Sequence, residues 1–369
     1  MCIRDRLQLS DADAASFLEA AQAKGLHAQV VAQVASDQQL RFSAAGESLF
    51  SLSRVEAQQC WSQVSYQMAK LRDHPECADQ EFESIAAEDD PGLRVELSFD
   101  PAPLAAPAIG KSPRVAILRE QGVNGQAEMA YAFAAAGFEA VDVHMTDILS
   151  GRTDLSSFAG LVACGGFSYG DVLGAGQGWA RSILFNERAR EAFAAFFADS
   201  ERFALGVCNG CQMLATLREL IPGTAHWPRF VRNHSEQFEA RWSMVEIADS
   251  KSIFFQNMAG SRLPVAVADG EGRIAFDQAN DLSALGDQQQ LALRFNDARN
   301  QPAQAYPANP NGSPDGLTGV CNTDGRVTIL MPHPERTVHG VTGSWWPRHW
   351  GSKTPWFRMF ENARRWVGR

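Results

Sequence analysis

The sequence predicts an α/β protein built on a mostly parallel central sheet that is flanked by helices. Apolar runs typical of buried strands alternate with helical patterns from residue 114 onward, and this alternation is typical of parallel sheets covered on both faces. Between Phe238 and Ala268 apolar and polar side chains alternate singly, which indicates antiparallel strands added to the same sheet. With 45% hydrophobic content in 369 residues, the chain can fill one large core or two domains.

The elements of this region follow one another in short segments. Strands are expected at residues 114–118, 140–144, 161–164, 203–207 and 327–331. Helices are expected at residues 126–136, 179–185, 190–197 and 210–218. Since ligand sites of such sheets form beyond the carboxyl ends of strands, the residues that follow these strands are the first candidates for a functional site.

The N-terminal part of the chain, residues 1–100, has a different character. A helix is expected first, then two short alternating stretches, then a long helix; their ranges are Asp11–Ala23, Ala28–Val34, Gln39–Ala44 and Val55–Arg72. Because this part has few strands and little core of its own, we expect a small α+β unit. Residues 1–6 lead into no structure, and we interpret them as a spurious leader on a truncated gene model.

A domain boundary is expected at residues 101–112. This segment is rich in alanine and proline, a composition typical of linkers. The acidic stretch before it, residues 79–91, is interpreted as a solvated face or loop. The prediction is therefore an N-terminal unit of residues 1–100, a linker, and a main domain of residues 113–369.

The overall composition excludes several classes of function. The formal net charge is −10 and there is no long basic run, which argues against a nucleic-acid partner. No apolar stretch approaches the roughly 18 residues that span a bilayer, so no membrane partner is expected. The 7 cysteines are scattered along the chain, which suits a reducing cytoplasm. They form only one closely spaced pair, so we predict no metal site.

Cys208 stands in the most informative stretch of the sequence. It follows the apolar run Phe203–Val207 and precedes a helical pattern, with glycines two residues before it and two after it. This spacing predicts a nucleophile elbow with cysteine in place of serine, and the helix N-terminus favours the thiolate form. Two other interpretations stay open at this point: a buried apolar cysteine, or a redox pair with Cys211.

A nucleophilic cysteine needs a base, and His333 is the candidate. It comes directly after the strand expected at residues 327–331, between two prolines that restrict the backbone. Glu335 lies two residues on, where its side chain leaves on the same side as the imidazole. The pair predicts a base and its orienting carboxylate, whereas a lone histidine between prolines would indicate only a turn.

The segment Gly165–Asp171 is the third candidate element. It follows the strand expected at residues 161–164 and is rich in glycine. Because it lacks the lysine and the Ser/Thr of a phosphate-binding P-loop, we predict instead an oxyanion hole formed by the backbone N–H groups of Gly166 and Asn209. A flexible loop without that role remains the alternative.

Several groups of residues carry a resemblance to a known family. Gly206–Gln212 together with Pro332–Arg336 resembles the triad class of glutamine amidotransferases, whose fold is flavodoxin-like. Longer stretches resemble the C-terminal glutaminase part of the large, single-chain phosphoribosylformylglycinamidine synthases; they are residues 118–124, 164–176, 229–233 and 306–313. Residues 72–80 resemble the end of the ATP-binding-type synthetase part, so residues 1–100 are interpreted as its truncated remnant.

The resemblance implies an activity and a set of roles. Cys208 attacks the side-chain amide of glutamine, and His333, oriented by Glu335, protonates the leaving ammonia and then activates water. Phe167 and Gln212 line the glutamine pocket. The glutaminase step needs no cofactor. The ammonia passes to the synthetase domains, which form a carbon–nitrogen ligase that uses ATP and Mg²⁺ to convert formylglycinamide ribonucleotide to the amidine in purine biosynthesis. This chain lacks most of the synthetase, so we do not expect it to make the amidine alone.

Two other functions stay open on the sequence alone. A redox protein would use Cys208 and Cys211, and would leave His333 and Glu335 without a role. A non-catalytic interaction subunit would carry an unreactive Cys208.

Overall fold

The computed structural model describes residues 5–104 and 112–368. The chain divides into two compact units, residues 1–61 and residues 62–369. Residues 105–111 of the predicted linker lie outside the described ranges, so the boundary expected at residues 101–112 stays a prediction.

The first unit contains a helix and a hairpin. Helix α1 spans Asp11–Ala23, and strands β1 and β2 span Gln39–Ala44 and Glu47–Ser53 and pair antiparallel. The helix predicted at Asp11–Ala23 and the stretch at Gln39–Ala44 are thus confirmed. Residues 28–34 form no strand: they are exposed, and alternation alone gives no stable strand without a partner to pair with.

The remaining helices begin with α2 at Arg54–Arg72. In the second unit they are α3 Pro75–Ser84, α4 Gln126–Ala135, α5 Met145–Leu149, α6 Gln177–Leu184, α7 Glu187–Ala198, α8 Asn209–Thr216, α9 Asp281–Asp287 and α10 Phe357–Val367. Helix α3 takes up the first part of the acidic stretch 79–91, which is therefore helical as far as Ser84 rather than a loop throughout. Within the described ranges, no helix combines the length and the apolar character that crossing a bilayer requires.

The strands of the second unit form one large sheet and one small pair. They are β3 Arg114–Arg119, β4 Glu139–His144, β5 Gly160–Ala163, β6 Phe203–Val207, β7 Arg229–Val231, β8 Glu239–Ile247, β9 Arg262–Asp269, β10 Arg273–Ala275, β11 Leu291–Phe295, β12 Leu317–Cys321 and β13 Val327–Leu330. The large sheet has nine strands in the order β4-β3-β5-β6-β13-β12-β11-β8-β9, while β7 pairs with β10.

The large sheet changes character along its width. Strands β4, β3, β5, β6 and β13 are parallel neighbours, and the four strands beyond β13 pair antiparallel. The fold class predicted from the sequence, a central sheet flanked by helices with antiparallel strands added, is confirmed. This strand order matters for function. Strands β5, β6 and β13 are adjacent, so the residues that follow their carboxyl ends lie at one edge of the sheet.

Aromatic side chains pack around strand β6 in the parallel half of the sheet. The ring of Phe203 on β6 lies 6.0 Å from that of Phe133 and 5.7 Å from those of Phe138 and Phe254. Each fully buried side chain of this size contributes roughly 1.5–3 kcal/mol. Strand β6, which leads to Cys208, is therefore anchored in the centre of the core.

Candidate active site

Cys208 occupies a sharp turn between strand β6 and helix α8. Its backbone has φ 52° and ψ −111°, a region that non-glycine residues rarely adopt and that costs about 1–3 kcal/mol. Glycines make the turn possible: a Cβ on Gly206 would lie 2.8 Å from the carbonyl oxygen of Gly210, and a Cβ on Gly210 would lie 2.0 Å from that of Ala163. This is the geometry of a nucleophile elbow.

His333 reaches the same edge of the sheet from the neighbouring strand. Strands β13 and β6 are parallel, with Leu330 beside Val207, so the residues just beyond their ends lie close together. The backbone N–H of His333 donates to the carbonyl oxygen of Ala266 over 2.8 Å. The histidine is thus held by β9 on one side and by its own strand on the other.

The imidazole of His333 is buried and paired with Glu335. Its Nδ1 lies 2.6 Å from Oε1 of the carboxylate, and both side chains are at most 1% exposed. Because a carboxylate only accepts, Nδ1 carries a proton. The other ring nitrogen, Nε2, is buried and has no hydrogen-bond partner among the described residues, so it is available to a reacting group.

Cys208 lies close enough to this imidazole to change its protonation. Burial alone would lower the pKa of His333, but the charges of Glu335 and Cys208 outweigh burial and raise that pKa to about 10. A Cβ on Gly165 would lie 2.6 Å from Cε1 of His333 and 3.3 Å from Cβ of Cys208, so the two side chains converge on one point. The raised pKa favours the protonated form of the imidazole at neutral pH.

The loop after strand β5 passes beside the elbow. Gly166 has φ 147°, and a Cβ there would lie 2.5 Å from Cα of Val123, so only glycine fits. The side chain of Asn209 ties the loop to helix α8: its Oδ1 accepts from the N–H of Ser168 over 3.1 Å, and its Nδ2 donates to Asp171 over 3.0 Å. These bonds hold the loop and argue against the flexible-loop alternative.

A cavity of about 320 Å³ lies in front of Cys208. Four of the predicted site residues line it; they are Gly166, Phe167, Cys208 and Gln212. The other three do not line it and are buried; they are Asn209, His333 and Glu335. The structure therefore brings the nucleophile and the predicted pocket residues to one surface, with the imidazole and carboxylate beneath it.

The opposite wall of the cavity received no role from the sequence. It comes from residues 232–238, between β7 and β8, and from residues 268–271, at the end of β9; the polar and aromatic members are Arg232, Glu236, Gln237, Phe238, Asp269 and Glu271. Gln212 joins the two sides, since its Nε2 donates to the carbonyl oxygen of Glu271 over 2.8 Å. The family resemblance over residues 229–233 is the feature of the sequence that could have located this wall.

Asp269 is a fully buried carboxyl group in this wall. Burial raises its pKa from 3.8 to about 6, although hydrogen bonds from Asn233 and Asn311 and the charge of His333 oppose the rise. Nδ2 of Asn233 donates to Oδ1 of Asp269 over 3.1 Å, and Nδ2 of Asn311 donates to it over 2.7 Å. Two stretches of the family resemblance, residues 229–233 and 306–313, therefore meet at one buried carboxylate.

Cys211 is unsuited to a redox role. Its side chain is fully buried, and burial raises its pKa well above that of an ordinary thiol. Cys208 and Cys211 are both unpaired. Because a redox-active thiol needs access and a low pKa, the structure gives the redox alternative no support.

Comparison with known proteins gives a family and a fold. Residues 112–367 match the family model of the CobB/CobQ-like glutamine amidotransferase domain. The structure is similar to that of PurLQS from Thermotoga maritima, with a TM-score of 0.52 and 23% identity over 69% of this chain and 99% of that chain. A glutamine amidotransferase from Thermotoga maritima matches with a TM-score of 0.38 and 19% identity over 62% of this chain and 78% of that chain. At 23% identity, the likeness to PurLQS shows the fold alone.

Proposed function

The chain belongs to the family of CobB/CobQ-like glutamine amidotransferase domains, and on that premise we propose that it hydrolyses L-glutamine to glutamate and ammonia through a thioester on Cys208. The observation that carries the proposal is the convergence of Cys208 with the buried His333–Glu335 pair. The adjoining cavity, about 320 Å³, is at the lower end of the range for small-molecule sites and suits a single amino acid.

In the first half of the reaction, the Cys208 thiolate attacks the side-chain carbonyl carbon of glutamine. The N–H groups of Gly166 and Asn209 stabilise the oxyanion, and one such donor typically contributes about 10²–10³ in rate. The proton on Nε2 of His333 moves to the amide nitrogen, the carbon–nitrogen bond breaks and ammonia leaves. A γ-glutamyl thioester remains on Cys208.

In the second half, Nε2 of His333 takes a proton from water, and the resulting hydroxide adds to the thioester carbonyl. The carbon–sulfur bond then breaks, glutamate leaves, and the thiolate–imidazolium pair of Cys208 and His333 is restored. Glu335 keeps Nδ1 protonated throughout, so that Nε2 alone exchanges the proton.

Phe167 and Gln212 form part of the glutamine pocket in this proposal. Phe167 is 44% exposed, and its ring lies 5.9 Å from the ring of Phe238. The two rings offer apolar surface to the methylene groups of glutamine. Gln212 accepts from Nδ2 of Asn209 over 3.2 Å and donates to the carbonyl of Glu271, so its position is fixed before substrate binds.

We assign the ammonia to the conversion of formylglycinamide ribonucleotide to its amidine in purine biosynthesis. What supports this assignment is the resemblance over residues 118–124, 164–176, 229–233 and 306–313. The glutaminase step itself uses no cofactor, and the ATP- and Mg²⁺-dependent synthetase domains are the partner. We place the reaction in the cytoplasm, which agrees with the unpaired state of the cysteines in the described residues.

A surface for the synthetase partner is available on helix α2. Val64, Met68 and Leu71 are 70%, 61% and 92% exposed, and their spacing places them along one side of the helix. Such an exposed apolar stripe is typical of a surface that another protein covers.

Ammonia release from glutamine by the purified full chain tests the glutaminase proposal. Cys208→Ala should lose at least about a thousandfold in turnover, because the nucleophile is gone, while the matched control Cys211→Ser should change it little. A Cys208→Ala enzyme that releases ammonia at near the parent rate would contradict the assignment.

Labelling with a glutamine-analogue electrophile separates an enzyme from a non-catalytic interaction subunit. Intact-mass analysis should show one adduct on the parent chain and none on Cys208→Ala, and an unreactive parent chain would favour the interaction subunit. Adding the synthetase domains with formylglycinamide ribonucleotide, ATP and Mg²⁺ should yield the amidine. Failure of that step alone would overturn the pathway and leave the glutaminase intact.

A further inference from the structure

Three side chains that commonly bind metals meet outside the active site. His74 precedes helix α3, Cys77 lies in its first turn, and His234 lies in the segment between β7 and β8. One nitrogen of each histidine and the sulfur of Cys77 all lie within 4.8 Å of one another. The two imidazole rings have centroids 4.1 Å apart.

The backbone beneath this cluster is fixed. The N–H of His74 donates to the carbonyl oxygen of Ser235 over 3.2 Å, and the N–H of His234 donates to that of Asn311 over 2.9 Å. Gly312, at φ 73°, packs so closely that a Cβ there would lie 2.5 Å from Cβ of His234. These backbone contacts therefore hold the three donor atoms near one another.

Two features of the cluster favour a cation. Nδ1 of His74 is buried and has no hydrogen-bond partner in the described part of the chain, so its bonding capacity is unused. Cys77 is 5% exposed, and the carboxylate of Glu76 lies beside the cluster, with its Oε2 3.6 Å from Nε2 of His234. A positive ion would take up the free nitrogen of His74 and pair with this carboxylate.

We propose that His74, Cys77 and His234 form a binding site for a divalent cation of the zinc class, with Glu76 as its fourth ligand. Imidazole and thiolate donors favour zinc and its chemical neighbours over Mg²⁺ or Ca²⁺, which prefer oxygen. Tetrahedral zinc with these ligands places nitrogen and sulfur about 3.6 Å apart, so the donors need to approach only by small side-chain rotations. Oε2 of Glu76 is 3.6 Å from Nε2 of His234 and more exposed than the other three ligands, which gives the ion an entry route.

The site would link helix α3 to the active-site cavity. His234 belongs to the segment of residues 232–238 that supplies Arg232, Glu236 and Phe238 to the cavity wall. A bound cation would hold this segment against helix α3 and limit its movement. No metal site was predicted from the sequence because the cysteines form only one closely spaced pair, and His234 is too remote along the chain from His74 and Cys77 to give a local pattern.

Titration of the full, reduced chain with Co²⁺, a spectroscopic substitute for Zn²⁺, tests the proposal. We expect one equivalent of tightly bound Co²⁺ with a thiolate-to-cobalt charge-transfer band. Cys77→Ser should abolish the band, and His234→Gln should weaken binding by more than about tenfold, since even outer-shell changes cost that much. Cys208→Ala is the matched control. It removes a different cysteine that also lies beside a histidine, His333, so it should keep the band.

A band that survives in Cys77→Ser, or that disappears in Cys208→Ala, would overturn the site, as would the absence of tight binding by the parent chain. If Cys77→Ser fails to fold, His74→Asn replaces it, read by thermal melting with and without Zn²⁺. The parent chain should melt at a higher temperature with Zn²⁺, and His74→Asn should not. In the Cys208→Ala background, Zn²⁺ should also slow hydrogen exchange of the amides at residues 233–238, and unchanged exchange would contradict the link to the cavity wall.

Discussion

His333 Nδ1 and Glu335 Oε1 are 2.6 Å apart in a site from which solvent is excluded. A hydrogen bond this short between an imidazole and a carboxylate is charge-assisted. It fixes the ring orientation and decides which nitrogen exchanges protons with substrate. The pair therefore sets the protonation state on which the proposed thioester chemistry depends.

Replacing Glu335 with glutamine should slow turnover without unfolding the protein. The amide can present an N–H to Nδ1 and so favour the wrong tautomer of His333, an effect worth about 10⁴ in a comparable triad. We expect kcat for ammonia release to fall by about 10²–10⁴, with a melting temperature close to that of the parent. A large drop in melting temperature with unchanged specific activity would make Glu335 structural instead.

The same substitution should change how stability depends on pH. In the parent protein, the pKa of His333 rises from 6.5 to about 10, so the folded state binds more protons than the unfolded state between these values. The stability that the raised pKa contributes is complete below pH 6.5 and is lost as pH rises towards 10. In Glu335→Gln, the carboxylate charge that opposes the effect of burial is gone, so the pKa of His333 is lower than in the parent.

Urea unfolding of both proteins between about pH 6.5 and 9.5 measures this effect. The free energy of unfolding of the parent should exceed that of Glu335→Gln most at the lower pH, and the difference should shrink as pH rises. A difference that stays constant over this range would show that His333 is not protonated in the folded parent.

Local patterns in the sequence predicted the candidate residues of this site. The elbow at Cys208 and the pair His333 and Glu335 each depend on a strand end and on residue types at fixed short spacing. The structure brings them together because β6 and β13 are neighbours, a pairing that the sequence alone does not specify. The seven-residue segment 232–238 was missed because it has no regular pattern, and only its position after β7 makes it a cavity wall.

The antiparallel part of the sheet was predicted less completely for a related reason. Strands β11 and β12 are five residues each, and β12 carries Thr318 and Gly319 among its apolar residues. Their identity as strands comes from pairing with β8 and β13. The buried contact of Asn311 with Asp269 likewise joins segments that are distant in sequence.

Asn311→Leu should destabilise the protein, and by more at neutral pH than at acidic pH. It removes two hydrogen bonds that Nδ2 donates, 2.8 Å to Asn233 and 2.7 Å to Asp269, and each buried hydrogen bond typically contributes about 0.5–1.5 kcal/mol, more where the acceptor is charged. The pKa of Asp269, already raised to about 6 by burial, should rise further. A carboxyl whose pKa is raised in the folded state makes the folded protein less stable as pH rises through that pKa. The difference in free energy of unfolding between the parent and Asn311→Leu should therefore grow between pH 5 and pH 7.5.

Unfolding in urea at both pH values gives the measurement. Asn280→Ala is the control, because the exposed side chain of Asn280 makes no capping hydrogen bond to helix α9, which it precedes, and such surface substitutions usually change stability by less than about 0.5 kcal/mol. If Asn311→Leu is no less stable than this control, the buried contact with Asp269 does not matter to the fold.

Gly210→Ala should damage both stability and turnover, because helix α8 packs directly on strand β5. The new Cβ would lie 2.0 Å from the carbonyl oxygen of Ala163, and backbone cannot move aside as a flexible side chain can. The helix must shift outward, at a cost of about 1–3 kcal/mol, and Cys208 shifts with it. We expect kcat to fall by at least about tenfold, since small misplacements of reacting groups are costly.

Gly286→Ala, in helix α9, is the matched control, because among the described residues its Cβ would meet only Leu291 on β11, at an ordinary distance of 3.6 Å. It should keep full activity and gain about 1 kcal/mol from helix propensity. Thermal melting and ammonia release measured on both variants separate the two effects. Full activity in Gly210→Ala would mean that the elbow tolerates displacement and that Cys208 does not depend on the close packing of α8 on β5.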